Sequence, residues 1–257
     1  KALRSNLENR PIAIGLQDLA TTLIKFGVPY EKSARFQASI AEFIYYWSLN
    51  YSCDYAHEYD CIYKHFKGSN YEKGILHFDL YHKYFGLKHN LILDWNSLRE
   101  KIKKGLANSL LIAHMPNVST SVLCGSRETS EPITKVLMNR KVSVGELTFY
   151  DEELDKLIRR VSEEKDIPST EIYRDIYKAN GSIQGLNYFD YKDKLLFKTV
   201  YEISLKDYID TRIAIQPFVD QGISMNLYLS NKVKNPYDKL FSAYLYAHQN
   251  GLKTGCY

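Results

Sequence analysis

Residues 108–125 read NSLLIAHMPNVSTSVLCG: an apolar run meets a proline and breaks at once into hydroxyls. Positions 110–113 are apolar, and Asn117, Ser119, Thr120 and Ser121 follow Pro116. Pro116 biases Met115 towards extended geometry, so a strand cannot run straight into a helix here. Asn117, Ser119 or Thr120 can then cap a short helix through 121–123. A helix N-terminus has free backbone N–H groups and a partial positive charge, and neighbouring hydroxyls add donors. The chemistry this arrangement suits is anion binding, above all phosphate. The same residues also suffice to cap a helix and do nothing else.

Other residue types offer less. The histidines at 57, 65, 77, 82, 89, 114 and 248 form no His-Glu-x-x-His motif, which leaves a zinc hydrolase without support. Cys53, Cys61, Cys124 and Cys256 contain no Cys-x-x-Cys pair and no zinc-finger spacing. No Gly-x-Gly-x-x-Gly, Walker loop or Gly-x-Ser-x-Gly elbow occurs. Glu128 and Glu131 stand three apart beside a proline; they can start a helix, pair with Arg140 or Lys141, or serve as catalytic carboxylates with a partner elsewhere.

The elements that must position these groups come from 257 residues, enough for one large domain or two small ones. With 45% hydrophobic and 25% charged residues the composition is that of an ordinary soluble globular protein. No apolar run reaches a membrane span, and KALRSNLENR lacks a signal-peptide core, so a cytoplasmic protein without a membrane partner is expected. The N-glycosylation patterns at 50–52 and 180–182 are then coincidental. The net charge of +4 is spread along the chain, and clusters such as REKIKKG read as the wet face of a helix, so no nucleic-acid partner is expected. The 22 tyrosines are expected mainly in core and rim packing.

A short extended piece at 12–15 turns helical and ends at Gly27. Residues 32–59 give the longest helical pattern, with Phe36, Ile40, Phe43, Ile44, Trp47 and Tyr51 expected on a core-facing stripe. Residues 60–93 read as irregular, and 94–105 as a short helix capped by Asp94 or Asn96 and stopped by Gly105. An amphipathic helix over 151–165 turns Leu154, Leu157, Ile158 and Val161 inward, and another runs from Ser169 to Asn180–Gly181. One helix is expected over 190–213 and an alternating strand over 224–230. A helix capped by Asn235, with Pro236 in its first turn and Gly251 past its end, precedes an extended KTGCY. Few strands among many helices indicate an α/β fold.

Eight stretches resemble, in order and spacing, the C-terminal part of the large subunit of class I ribonucleotide reductase. They are RPIAIGLQDLA (10–20), KGILHFD (73–79), NSLLIAHMPNVST (108–120), ETSEP (128–132), GEL (145–147), NGSIQ (180–184), VDQGISMNLY (219–228) and QNGLKTGCY (249–257). One such motif would be weak; eight in register over essentially all 257 residues are highly specific.

The resemblance implies the second half of a ten-stranded α/β barrel with surrounding helices. It implies that 1–257 is the C-terminal portion of the barrel domain, with the regulatory region and the first half-barrel outside this chain. The implied activity is reduction of ribonucleoside diphosphates to 2′-deoxyribonucleoside diphosphates by a thiyl radical. That radical removes the 3′ hydrogen, the 2′ hydroxyl leaves as water, and two further cysteines supply electrons. The substrate diphosphate would sit on Asn117, Val118, Ser119 and Thr120, flanked by Pro116 and Ser121. The family more often has Thr-Ala at 117–118 and proline at 114, where this chain has Asn117, Val118 and His114.

Tyr257 matches the first tyrosine of a terminal pair that relays the radical; the family's second tyrosine, its cysteine-bearing tail and its Asn-x-Cys-x-Glu motif are not in this sequence. The catalytic cysteine is therefore expected outside this chain. The resemblance implies no metal or cofactor bound by this segment. ATP and deoxynucleotide effectors would bind the missing N-terminal part, and a metal-radical cofactor would sit in a radical-generating small subunit. Further implied partners are a second large subunit, as a homodimer, and thioredoxin or glutaredoxin. The rival is a catalytically inactive homologue acting as a protein-interaction module, of the kind some large DNA viruses carry. It draws some support from His114, Val118, Ile133 and Met138. A third reading is a free-standing phosphate-binding domain.

Overall fold

The structure is a computed structural model that describes residues 1–142, 145–149, 151–231 and 233–253, with the backbone alone over 138–142 and 145–149. The first half of the chain contains α1 (Ala2–Asn9), α2 (Leu19–Lys25), α3 (Ala34–Glu58), α4 (His77–Phe85), α5 (Trp95–Ile102) and α6 (Val118–Cys124). An antiparallel hairpin follows, β1 (Met138–Val142) with β2 (Gly145–Phe149). The helices resume with α7 (Glu152–Lys165), α8 (Ser169–Lys178), α9 (Tyr191–Leu196), α10 (Leu205–Ile215) and α11 (Pro236–Gln249).

Local chemistry explains several boundaries. The Asp151 carboxylate accepts the N–H groups of Glu153 and Leu154 at 3.1 Å each, which starts α7 in an acidic first turn. Its buried residues are the expected Leu154, Leu157, Ile158 and Val161. Asp94 likewise caps α5 through Ser97. Ser204 accepts from Asp207 N–H at 3.0 Å and opens α10.

Other expectations need correction. Residues 190–213 form two helices, because the chain breaks after α9: Thr199 N–H donates to Glu202, and Val200 N–H donates to Ile133. Residues 60–93 contain α4, where the Asp79 carboxylate accepts Leu76 N–H at 2.7 Å. Asn235 stands at the cap of α11 in a left-handed conformation and makes no side-chain cap bond. The hairpin was not anticipated.

Phe43, Trp47 and Tyr51 are 56%, 48% and 67% exposed and are not core. The buried ridge of α3 is Gln37, Ala41, Glu42, Tyr45, Leu49, Ser52, Cys53 and Ala56. The ridge combines the large Tyr45 and Leu49 with small residues, and α10 packs against α3.

Three extended segments form the inner layer, and their bonding is parallel. Ile14 bridges Ile112, and His114 bridges Ile223. Ile12 and Ile14 N–H donate to Leu110 and Leu111, while Ser224 N–H donates to the carbonyl of His114 at 2.7 Å. The middle segment is also held by a side chain: the Asp220 carboxylate accepts Leu111 and Ile112 N–H at 2.9 and 2.8 Å. Among the described residues two apolar clusters pack around this layer and include its own Leu111, Ile112, Ile223 and Met225. One gathers α2, α7, α8 and α11; the other gathers α3, α4 and α5. α10 serves both, with Tyr208 and Ile209 in the first and Ile215 in the second.

Candidate functional site

The middle extended segment, 111–114, delivers the chain directly to α6. Pro116 ends the extended run, and Asn117 occupies the cap position with φ −97° and ψ 64°. Of the three expected cap candidates, Asn117, Ser119 and Thr120, it is Asn117 that stands at the cap, and its side chain makes no capping bond. Instead its backbone N–H donates to the Glu128 carbonyl at 2.8 Å, and its side-chain nitrogen lies 3.3 Å from where a Cβ on Gly15 would be. Val118, Ser119 and Thr120 are exposed, while Ser121 is fully buried and donates to the Val118 carbonyl at 2.9 Å. The first N–H groups of a helix have no partner within it. Two exposed hydroxyls and the open first turn of α6 thus share one surface. Ser121 belongs to the floor. Tyr257, the other expected site residue, lies outside the described residues.

A cavity of about 390 Å³ adjoins this turn, lined by Pro116 and Val118 on one side and by Glu131, Thr134, Asn226 and Tyr228 on others. The loop 126–131 closes it and is tied from behind. Asp18 N–H donates to Thr129, and Arg127 makes a buried ion pair with Asp151 at 2.7 Å. Glu131 does not begin a helix. Its Oε1 accepts Tyr208 O–H at 2.6 Å and Asn226 N–H at 2.7 Å. Its Oε2 accepts the Asn226 amide at 3.0 Å and Tyr228 O–H at 2.8 Å.

Beneath this cluster lies Arg212, fully buried. Its guanidinium donates to Ser130 Oγ at 2.8 Å, to Gln37 Oε1 at 2.5 Å and to the Tyr30 hydroxyl oxygen at 2.5 Å, and it packs against the Tyr208 ring at 5.6 Å. All these acceptors are neutral. His114, on the strand that feeds α6, is 4% exposed. Burial, and secondarily the charge of Arg212, push its imidazole down to about 3, so it is neutral at physiological pH. A second cavity, of about 700 Å³, opens between α10 and α11 and shares Tyr228 with the first.

Sequence reasoning found the hydroxyls but missed Glu131, Asn226, Tyr228 and Arg212 as one unit. The "SMNLY" and "ETSEP" motifs contain Asn226, Tyr228 and Glu131 but not Arg212, and neither said that they meet.

A family model described as the ribonucleotide reductase barrel domain matches residues 1–257. Among curated relatives, a ribonucleoside-diphosphate reductase large subunit of Dictyostelium discoideum is 38% identical over this whole chain, which spans 29% of that protein. A large chain of Schizosaccharomyces pombe is 35% identical over the whole chain, which spans 31% of it. The chain thus spans under a third of these relatives' length. Among solved structures, the Actinobacillus ureae class Id ribonucleotide reductase alpha subunit superposes with a TM-score of 0.68 over 97% of this chain and 39% of its own, at 22% identity. This likeness shows a shared fold, and the three parallel segments inside a helical layer fit an α/β barrel.

Proposed function

We propose, from the premise that this chain belongs to the ribonucleotide reductase barrel-domain family, that it is the C-terminal part of the catalytic barrel of a ribonucleoside-diphosphate reductase large subunit. The observation that carries the reading is the family match over all of 1–257. In this reading the three extended segments belong to the second half of a ten-stranded barrel, whose other strands lie outside this chain.

Asn117, Val118, Ser119 and Thr120 receive the substrate diphosphate. The open turn of α6 and its two hydroxyls present donors there, and an anion is favoured at such a terminus. The 390 Å³ cavity beside them receives the nucleoside. Its size lies within the range of small-molecule sites, about 300–1,000 Å³. Tyr257 relays the radical, and the reacting cysteine comes from outside this chain. A metal-radical centre in a small subunit supplies the oxidising equivalent. Effector nucleotides, the second large subunit and thioredoxin or glutaredoxin engage other parts. Among the described residues no helix is long and apolar enough to cross a membrane, and we read the setting as cytosolic.

The test is turnover. The full-length protein, mixed with a radical-generating small subunit and a dithiol reductant, is expected to convert ribonucleoside diphosphates to 2′-deoxyribonucleoside diphosphates. Binding of the substrate without any turnover, beside a partner that carries its radical, would overturn the reading in favour of an inactive homologue.

A further inference from the structure

Glu131 is 5% exposed, yet its carboxylate stands in the wall of the cavity beside α6. Four donors reach it: Tyr208 O–H, Asn226 N–H, the Asn226 amide and Tyr228 O–H. A carboxylate has about four acceptor positions, so the group is saturated by the protein itself. It is built to hold its donors.

The donors differ in where they stand. Asn226 and Tyr228 are two apart on an extended segment, hence on one side of it, and both line the cavity. Tyr208 comes from α10, on the core side, and does not line it. Glu131 is anchored in turn. Its own N–H donates to Thr129 Oγ1 at 3.2 Å, and the neighbouring Ser130 is gripped by Arg212. Rigidity therefore passes from the buried guanidinium, through Glu131, to two side chains that face the open volume. Tyr228 spends its one hydroxyl proton on Glu131, so a ligand meets its oxygen only as an acceptor.

We infer that Glu131 is a positioning residue: it fixes Asn226 and Tyr228 in the cavity wall, and through them it orients the nucleoside of a diphosphate seated on 117–120. This inference rests on the functional reading above and adds to it which residue sets the wall. Holding a wall group in place raises binding because its ordering cost is already met.

The experiment uses the full-length protein with its radical-generating partner and three variants, Glu131→Gln, Tyr228→Phe and Tyr208→Phe. Two quantities are measured: KM for a ribonucleoside diphosphate, and the inhibition constant of inorganic pyrophosphate, which probes the phosphate end alone. Glu131→Gln and Tyr228→Phe are expected to raise KM about tenfold, the scale of one lost polar contact, with pyrophosphate inhibition unchanged. Tyr208→Phe is expected to leave both within about twofold, because it removes a bond from the core side only. Unchanged KM in the first two variants overturns the inference and leaves the functional reading standing. So does an equal loss in all three, or a parallel loss of pyrophosphate inhibition, since either would report collapse of the site. If Glu131→Gln does not fold, Tyr228→Phe decides alone. A wild-type protein that binds no ribonucleoside diphosphate overturns both.

Discussion

The first turn of α6 and the Glu131 cluster border one cavity and are built on opposite terms. At α6, Ser119 and Thr120 are exposed, the Asn117 side chain makes no cap bond, and the helix is only seven residues long. At Glu131, every acceptor position is filled, and the Arg212 beneath it donates to three separate segments. One region keeps its hydrogen-bonding capacity unspent, and the other has spent all of it. Sites that bind need both: open donors, and a frame stiff enough that binding does not have to order them.

The largest test of this contrast is Arg212→Leu. It leaves the neutral acceptors on Ser130, Gln37 and Tyr30 without this donor, and leaving a buried polar group unpaired costs about 1–3 kcal/mol. Chemical denaturation of the full-length protein should show that loss. A cost below about 1 kcal/mol would mean that the network is not the stiff side.

His114, on the segment that feeds α6 and bridges Ile223, gives the next effect. The unfolded imidazole takes its proton near 6.5, while the folded one waits until about 3. The unfolded state therefore binds more protons in this window, so stability is full above 6.5 and falls as pH drops towards 3. One proton corresponds to about 1.4 kcal/mol per pH unit. His114→Met should flatten the stability profile between pH 6 and 4 by about that slope, measured by denaturation at each pH.

Ser119→Ala with Thr120→Ala should do the reverse of Arg212→Leu. Stability should stay within about 0.5 kcal/mol, as for other exposed positions, while KM for the diphosphate rises about tenfold. If this pair instead costs stability and spares KM, α6 is a structural cap and the contrast fails. The smallest effect is expected from Gly15→Ala. Its new Cβ would stand 3.3 Å from the Asn117 amide and push the cap by a few tenths of an ångström. A rise in KM of about two- to threefold is expected, well under the ~1.4 kcal/mol that a tenfold change represents.

The sequence made some of this legible and hid the rest for physical reasons. Helices that carry their own punctuation were readable: α7 has Asp151 before an acidic turn and an apolar ridge, and α5 has Asp94. The face of α3 was not. Its buried ridge holds Gln37 and Glu42, whose partners are Arg212 and the Trp95 indole, residues far away in the chain. Large aromatics at Phe43, Trp47 and Tyr51 mimicked a core stripe while a ridge containing alanines did the packing.

The expected strand over 224–230 becomes an extended segment for a related reason. Asn226 N–H goes to the Glu131 carboxylate, where a sheet would have used it on a neighbour. Asp220 does the same to Leu111 and Ile112. Two carboxylates thus replace ladder bonds, and an alternating pattern alone does not reveal such a substitution. The hydroxyl-rich switch after 113 was readable because strand, proline and cap are neighbours in the chain. The Glu131 cluster was not, since 131, 208, 226 and 228 meet only in space.

The parallel ladder also sets a schedule. Ile14 waits for Ile112, and His114 waits for Ile223, each pairing spanning roughly a hundred residues of chain, the kind of non-local contact that slows folding. During synthesis at about 5–20 residues per second, the segment at 12–14 leaves the ribosome several seconds before its partner exists. Its Ile12 and Ile14, still 43% and 37% exposed in the finished fold, spend that interval bare. The parallel layer that carries the hydroxyl-rich turn is therefore among the last parts of this molecule to assemble.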